Sequence, residues 1–233
     1  MLILAIDASG QTAGAALVTE EKVIAELTLN CGYTHSQTLM PIVDYVLTLS
    51  GVNKRGIDYI ACTSGPGSFT GLRIGAACAK GLAAGLGKKM VNVSALDVLA
   101  YNVCKTQGIT ASVMDARRGE VYAAVYSWRR SAMTRETDYL ADKIERIAAI
   151  TREFGGDVTF VGDGAVVHRD YLQKEGFGTA PIGHLLQRPS SLGALALAKV
   201  TSGDSAGITD PRGFKLFYIR KPQAEREREQ KNV

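Results

Sequence analysis

Histidine is scarce in this chain of 233 residues, which contains only His35, His168 and His184. A catalytic zinc or iron centre needs several nitrogen, oxygen or sulfur ligands in a suitable geometry. No two of these histidines stand four residues apart, as two ligands on one helical face would. The sequence also shows no Gly-x-Ser-x-Gly nucleophile turn and no Ser/His/Asp set. We therefore expect no metal site and no catalytic residue in this chain.

Cysteine is also sparse, and the four cysteines are scattered without a Cys-x-x-Cys motif: Cys31, Cys62, Cys78 and Cys104. This distribution is typical of buried thiols in a reducing compartment and not of a disulfide framework or a zinc site. No apolar run approaches the length of a membrane span, and the first seven residues lack the basic region of a signal peptide. We expect a cytoplasmic protein with no membrane contact.

The composition is that of a soluble globular protein with one large or two small domains. Hydrophobic residues make up 46% of the chain and charged residues 21%. The formal net charge of +4 and the isoelectric point near 8.8 are mildly basic. This charge permits an RNA partner but does not argue for one.

The most distinctive stretch is Ser64-Gly-Pro-Gly-Ser-Phe-Thr-Gly-Leu-Arg-Ile-Gly75. Its glycines around Pro66 predict a tight turn, and Ser68 or Thr70 can cap the helix that follows. Such a cluster of caps and free N–H groups suits an anion, although the spacing matches neither the dinucleotide fingerprint nor the P-loop. Two interpretations stay open, a structural turn or an anion or nucleotide loop with the candidate residues Asp7, Ser9, Gly65, Gly67, Ser68 and Thr70.

The helix predicted after this turn is rich in small residues on rows four positions apart. One row holds Gly71, Gly75, Ala79 and Ala83, and the next holds Ala77, Gly81 and Gly85. Each interior glycine costs about 1 kcal/mol of helix stability relative to alanine. Rows of small residues let two helix backbones approach closely. Either this helix packs tightly inside the fold, or it presents a flat face to a partner chain.

The order of predicted elements indicates two related α/β lobes. In the first lobe we predict strands over 2–6, 12–18, 22–30, 57–62 and 89–93 and helices over 34–50, 70–85 and 94–104. In the second we predict strands over 110–114, 120–128 and 158–161, a polar loop over 129–138, helices over 139–154, 166–175 and 189–200, and an extended segment over 211–220. Alternation of strands and helices indicates sheets with a parallel portion and crossover helices.

The strand, aspartate, turn and strand at Asp7 recur at Asp115, which indicates a duplicated architecture. We place the lobes at residues 1–105 and 106–233. The helix near 189–201, capped by Ser190 or Ser191, is expected to pack back on the first lobe. Residues 224–233 are expected to form a flexible tail.

Several motifs together carry a resemblance over nearly the whole chain. They are the stretch 64–75 with Ala79-Lys-Gly81, Val93-Ser-Ala-Leu-Asp97, Asp115-Ala-Arg-Arg-Gly-Glu-Val-Tyr122, His35-Ser-Gln37 with Pro41, and Tyr218-Ile-Arg220 before Pro222 and Glu225. With these motifs the chain resembles the TsaB family, also called YeaZ. It departs at Asp7-Ala-Ser9, where members commonly have Asp-Thr-Ser, and this weakens the argument for phosphate binding there.

The resemblance implies an α/β fold of the actin/Hsp70-like (ASKHA) class with two lobes, each a mixed sheet with flanking helices. It implies a non-catalytic partner of the TsaD subunit, which transfers a threonylcarbamoyl group to the adenosine beside the anticodon of tRNAs that read codons starting with A. It also implies a TsaE-like ATPase as a further partner and tRNA bound through the complex. ATP or ADP would bind only in that complex, and the chain would form a homodimer when TsaD is absent.

The same resemblance places the interface with TsaD on the helices over 34–50 and 70–85. For this interface we expect ten residues, which are His35, Met40, Val43, Leu47, Gly71, Ile74, Gly75, Cys78, Ala79 and Leu82.

A second functional class stays open, an enzyme that uses the cleft between the lobes as a nucleotide site. It would be an ATPase or kinase, or a glycoprotease-like hydrolase. In actin-like lobes the first hairpin wraps a nucleotide phosphate and its aspartate orients Mg²⁺, a role open to Asp7. Asp115 and Asp163 could face the same cleft. Arg117 and Arg118 could contact tRNA or a nucleotide, or could pair with Glu120 and the other lobe.

Overall fold

Two mixed sheets, surrounded by helices, make up the computed structural model, which describes residues 1–104 and 107–220. The first sheet has the strand order β12-β5-β4-β1-β2-β3. Its strands are β1 (Leu2–Asp7), β2 (Ala13–Thr19), β3 (Val23–Leu29), β4 (Tyr59–Gly65), β5 (Lys89–Ser94) and β12 (Ile208–Thr209). Strand β4 runs parallel to β1 and β5, whereas β2, β3 and β12 pair antiparallel with their neighbours.

Helices cover both faces of the first sheet, which explains the continuous apolar run of β1. Leu4 and Ile6 pack in a cluster with α1 (His35–Ser50) and α2 (Phe69–Leu86). Ile3 and Ala5 point to the opposite face and pack with α3 (Ala95–Tyr101) and α7 (Pro189–Thr201). The period-two alternation of a strand thus divides this core into two layers.

The second sheet has the order β11-β10-β6-β7-β8, and β9 also pairs with β7. Its strands are β6 (Gln107–Arg117), β7 (Glu120–Arg129), β8 (Ala132–Arg135), β9 (Leu140–Lys143), β10 (Val158–Val161) and β11 (Gly178–Thr179). Helices α4 (Ile144–Glu153), α5 (Asp163–Val167) and α6 (Arg169–Lys174) accompany it. The order β10-β6-β7-β8 matches β4-β1-β2-β3 of the first sheet, with the same parallel and antiparallel pairings. The strand–aspartate–turn repeat therefore reflects two lobes of one topology.

Three predicted elements of the second lobe were wrong. Residues 129–138 contain strand β8, and the predicted helix over 139–154 starts only at Ile144, after strand β9. Both strands pair with β7, so non-local pairing outweighs the local sequence pattern. The predicted helix over 166–175 is instead two short helices that meet at His168.

Helix α7 begins at Pro189, as predicted, but neither Ser190 nor Ser191 is its N-cap residue. Arg188 is the N-cap residue, and Pro189 takes the first helical position, where its missing N–H costs nothing. Ser190 instead donates from its N–H and its hydroxyl to Glu26 Oε1 of β3. Helix α7 packs against the first sheet, and strand β12 pairs with β5 of that sheet.

The predicted lobe boundary at 105/106 and the predicted tail at 224–233 lie outside the described residues. Within residues 1–104 and 107–220, no helix combines the length and the apolar character needed to cross a membrane.

Candidate functional site

A cleft of about 330 Å³ lies between the two lobes. The first lobe lines it with the turn after β1 and with the start of α2. The second lobe lines it with the hairpin between β6 and β7 and with the start of α5. The residues that carry polar or aromatic side chains in this lining include Ser9, Gln11, Ser68, Phe69, Asp115, Arg117, Arg118, Glu120, Tyr122, Asp163, Tyr218 and Arg220.

Asp7 lies beneath this cleft and is almost completely buried. Its Oδ1 accepts hydrogen bonds from the N–H and the hydroxyl of Ser9, both at 2.7 Å, and from the hydroxyl of Thr63 at 3.3 Å. Its Oδ2 has no hydrogen-bond partner in the described part of the chain. Burial raises the pKa of the Asp7 carboxyl above its ordinary value. The hydrogen bonds that the Asp7 carboxyl accepts from Ser9 fix the turn after β1.

The glycines of the turn before α2 are held closely by the protein's own backbone. Gly65 and Gly67 have φ values of 123° and 155°, which L side chains rarely adopt. A Cβ on Gly65 would overlap the carbonyl oxygen of Phe217, and a Cβ on Gly67 would overlap that of Ser9. The close approach of these backbones explains why glycine is required at both positions.

The backbone N–H and the side-chain hydroxyl of Ser68 both form hydrogen bonds at this turn. Its N–H donates to the Ser9 carbonyl at 2.8 Å, and its hydroxyl accepts from the N–H of Gly71 at 3.2 Å, as a helix cap does. Of the six candidate anion-loop residues, Ser9, Gly67 and Ser68 line the cleft, whereas Asp7, Gly65 and Thr70 are not among the residues that line it. The anion loop stays a prediction.

Arg117 and Arg118 occupy the tip of the β6–β7 hairpin and line the cleft. Both have positive φ, 67° and 58°, which is uncommon for residues other than glycine. The Arg117 guanidinium lies 3.7 Å from Asp115 Oδ2, and the Arg117 side chain is 88% exposed. Glu120, at the start of β7, forms an ion pair with Arg220. A contact of the two hairpin arginines with RNA or a nucleotide stays a prediction.

Asp115 and Asp163 of the second lobe line the opposite wall of the cleft. The N–H of Asp115 donates to Asp163 Oδ1 at 3.1 Å. Burial raises the pKa of Asp163, and the nearby charge of Asp115 adds to this effect. Across residues 1–104 and 107–220, no three histidine, cysteine, aspartate or glutamate side chains are grouped as a metal site would require.

Four of the ten predicted interface residues are buried in the monomer. Val43, Gly71, Gly75 and Ala79 are buried against the first sheet and the turn that follows β1. Residues four apart share one helical face, and for α2 the face with Gly71, Gly75, Ala79 and Ala83 is the inner one. Gly71, Gly75 and Ala79 therefore face the protein's own core, whereas Val43 also borders a surface pocket with Met40, Leu47 and Leu82.

The other six predicted interface residues reach the surface to different extents. Met40 is 41% exposed, while His35, Leu47, Ile74, Cys78 and Leu82 are partly buried. His35 Nε2 lies 2.9 Å from the Gly10 carbonyl oxygen. A partner contact for these residues stays a prediction.

The exposed small residues of α2 belong to the second row, Ala77, Gly81 and Gly85, together with Ala84. Among the described residues, a Cβ on Gly81 or Gly85 would meet no atom within 4 Å. Met40 of α1 is 41% exposed and lines a surface pocket together with Leu82 of α2. We call the surface formed by Met40, Ala77, Gly81, Ala84 and Gly85 the outer helical face.

Sequence reasoning missed Tyr218 and Arg220 as residues of the cleft. The signal for this pair was the Tyr218-Ile-Arg220 motif itself.

Comparison with known proteins gives two agreeing results. Residues 30–202 match the family model described as "TsaD: tRNA N6-adenosine threonylcarbamoyltransferase". A Bacillus subtilis (strain 168) protein named "tRNA threonylcarbamoyladenosine biosynthesis protein TsaB" is 34% identical over 234 residues, which cover 97% of this chain and 96% of that protein. The chain belongs to the TsaB family.

Solved structures place this TsaB-family member in its fold class. YeaZ from Pseudomonas aeruginosa superposes with a TM-score of 0.78 at 25% identity and covers 94% of this chain and 99% of its own. The (R)-2-hydroxyglutaryl-CoA dehydratase component A of Acidaminococcus fermentans has a TM-score of 0.51 at 12% identity over 86% of this chain and 99% of its own, which shows a shared fold alone. The predicted actin/Hsp70-like fold with two mixed sheets is confirmed.

Proposed function

We propose that this chain is a non-catalytic partner of a TsaD-like subunit in threonylcarbamoyl transfer to the adenosine next to the anticodon of tRNA. The observation that carries the proposal is the similarity to TsaB over 97% of the chain. The match of residues 30–202 to the TsaD family model supports it, because related chains of one fold commonly pair through equivalent surfaces. A TsaE-like ATPase and tRNA would join through the complex, and two copies would pair when the TsaD-like subunit is absent.

The outer helical face is the surface that we assign to this pairing. Gly81 and Gly85 each cost about 1 kcal/mol of helix stability relative to alanine, and no atom of the described residues lies within 4 Å of a Cβ at either position. A partner helix that packs closely against α2 would use that space. The exposed side chain of Met40, which lines the same surface pocket as Leu82 of α2, would supply apolar contact beside it.

Reconstitution tests the proposed function directly. Unmodified tRNA is incubated with a TsaD-like subunit, a TsaE-like ATPase, ATP and the threonylcarbamoyl donor, with and without this chain, and the modified adenosine is measured after nuclease digestion. We expect modification only when the chain is present, and none when the chain is the sole protein. Full modification without the chain, or transfer by the chain alone, would overturn the proposal.

A further inference from the structure

The Tyr218-Ile-Arg220 motif lies in a segment that connects the two lobes. Residues 214–220 have no helix or strand and follow β12 of the first sheet. Phe214 is buried in the core between the first sheet and α2, and Leu216 packs against the same core. From there the segment passes along the cleft, where Tyr218 and Arg220 are part of the lining.

Backbone and ring contacts fix the middle of this segment to the first lobe. The N–H of Phe217 donates to the Ser64 carbonyl at 2.8 Å. The Tyr218 ring lies 5.3 Å from the Phe69 ring between centroids, and Arg73 Nε reaches the Tyr218 hydroxyl at 3.5 Å. The segment is therefore anchored to the turn before α2 and to the first turn of that helix.

Its end is anchored to the second lobe by side chains. The Phe217 ring lies 5.6 Å from the Tyr139 ring. Both guanidinium Nη atoms of Arg220 donate to the Glu120 carboxylate, with Nη2 to Oε1 at 2.8 Å, and Nη2 also donates to the Ala141 carbonyl at 3.1 Å. A two-pronged guanidinium–carboxylate pair is both stronger and more directional than a single ion pair.

A second set of contacts, which shares Tyr139 with the first, joins the lobes at α3. Asp97 of this helix accepts hydrogen bonds from the hydroxyls of Tyr126 at 2.7 Å and Tyr139 at 3.0 Å, both in the second lobe. Any rotation that opens the cleft while α3 keeps these contacts must separate the ends of the 214–220 segment.

We infer that residues 214–220 act as a clasp that holds the two lobes at one angle and so sets the width of the cleft. We call the Arg220–Glu120 ion pair the outer lock of this clasp and the Phe217–Tyr139 ring contact its inner lock. This inference concerns the cleft and does not depend on the proposed function.

The distance between the lobes tests the clasp. Nitroxide labels are attached to cysteines introduced by Glu21→Cys, in the exposed turn between β2 and β3, and Ala132→Cys, at the exposed start of β8. Cys31, Cys78 and Cys104, the native cysteines that are not fully buried, are replaced by serine. Double electron–electron resonance on the full chain then gives the distribution of distances between the labels. We expect Arg220→Ala and Glu120→Gln each to broaden this distribution and shift it, and Arg220→Lys to have a smaller effect because lysine keeps the charge but not the two-pronged geometry.

Arg212→Ala is the matched control, because Arg212 is an exposed arginine that precedes the clasp in the same chain segment. It should leave the distribution as in the wild type. Circular dichroism and thermal melting of each variant establish that it is folded. If one lock variant fails to fold, the other still reports on the same ion pair. Folded lock variants with the wild-type distribution would overturn the inference, since an arginine that only fixes the chain locally would not move the lobes.

Discussion

Gly71 lies directly against the main-chain carbonyl oxygen of Ala8, and a Cβ at position 71 would overlap that oxygen. The start of α2 is therefore seated on the turn after β1 with no room for a side chain. This contact gives the inner row of small residues a role within the monomer. It also separates that row from the outer row, where a Cβ on Gly81 or Gly85 meets no atom of residues 1–104 and 107–220 within 4 Å.

Two substitutions in α2 measure this difference. Gly71→Ala should lower the free energy of unfolding by about 1–3 kcal/mol, because a backbone oxygen must move to admit the methyl group. Gly81→Ala should raise it by about 0.5–1 kcal/mol, because Gly81 is exposed, its Cβ meets no atom, and alanine is the better helix former. Urea unfolding followed by circular dichroism measures both. A stabilised Gly71→Ala variant would contradict the inner assignment of this row.

Glu26 of β3 anchors the start of α7. It accepts from Arg188 Nη2 at 2.8 Å and from the N–H and hydroxyl of Ser190 at 2.9 and 2.7 Å. Glu26→Ala should lower the free energy of unfolding at pH 7 by about 1–3 kcal/mol, because it leaves donors without their acceptor. Glu21→Ala, in the exposed turn beside the same strand, is the control and should stay near the wild type.

The decrease in the free energy of unfolding caused by Glu26→Ala should depend on pH. Burial alone would raise the pKa of Glu26, but the hydrogen bonds from Arg188 and Ser190 outweigh it and hold the pKa below its ordinary value. Such a carboxylate contributes stability above its ordinary pKa, and this contribution disappears as the pH falls through the lowered pKa of the folded state. The difference between wild type and Glu26→Ala should therefore shrink in acid. A difference that grows as the pH falls would contradict the assigned contacts.

Asp7 should show the opposite pH dependence, since burial raises its pKa in the folded state. The fold favours the neutral carboxyl, so stability is lost as the pH rises from about 4, the ordinary pKa of aspartate, through the raised pKa. An asparagine side chain in its place would keep an oxygen acceptor for Ser9 and cannot ionise. We expect Asp7→Asn to have a higher melting temperature than the wild type at pH 7 and an almost equal one near pH 3.5.

Asp44→Asn, at an exposed position of α1, is the control for this titration and should follow the wild type at both pH values. An Asp7→Asn variant that is less stable than the wild type at pH 7 would show that the buried carboxylate is stabilising as an anion.

The elements that sequence predicted well are those with a local cause. The apolar run of β1 and the aspartate turns at Asp7 and Asp115 needed only pattern and turn chemistry. Strand β9 could not be predicted, because its four residues become a strand only through pairing with β7. The order of elements also indicated two lobes, and the family resemblance added what the pattern could not, namely the functional class.

The candidate sites were predicted less well, for physical reasons. Both rows of small residues on α2 have the same chemistry, so hydrophobicity could not tell which row is inner. The burial of Gly71, Gly75, Ala79 and Ala83 in the structure, and the contact of Gly71 with the Ala8 carbonyl oxygen, identify the inner row. Tyr218 and Arg220 reach the cleft from a part of the chain about 100 residues from Glu120, a contact that no local pattern encodes.

Pairing through the outer helical face is the central claim, and one co-purification measures it. A tagged TsaD-like subunit is expressed with the wild-type chain, with Gly81→Arg, or with Ala149→Arg, which makes the same kind of change at an exposed position on α4 of the second lobe. Both variants should fold, because both positions are exposed. We predict that the wild type and Ala149→Arg are retained with the partner and that Gly81→Arg is lost. Retention of folded Gly81→Arg at the wild-type level would contradict the claim.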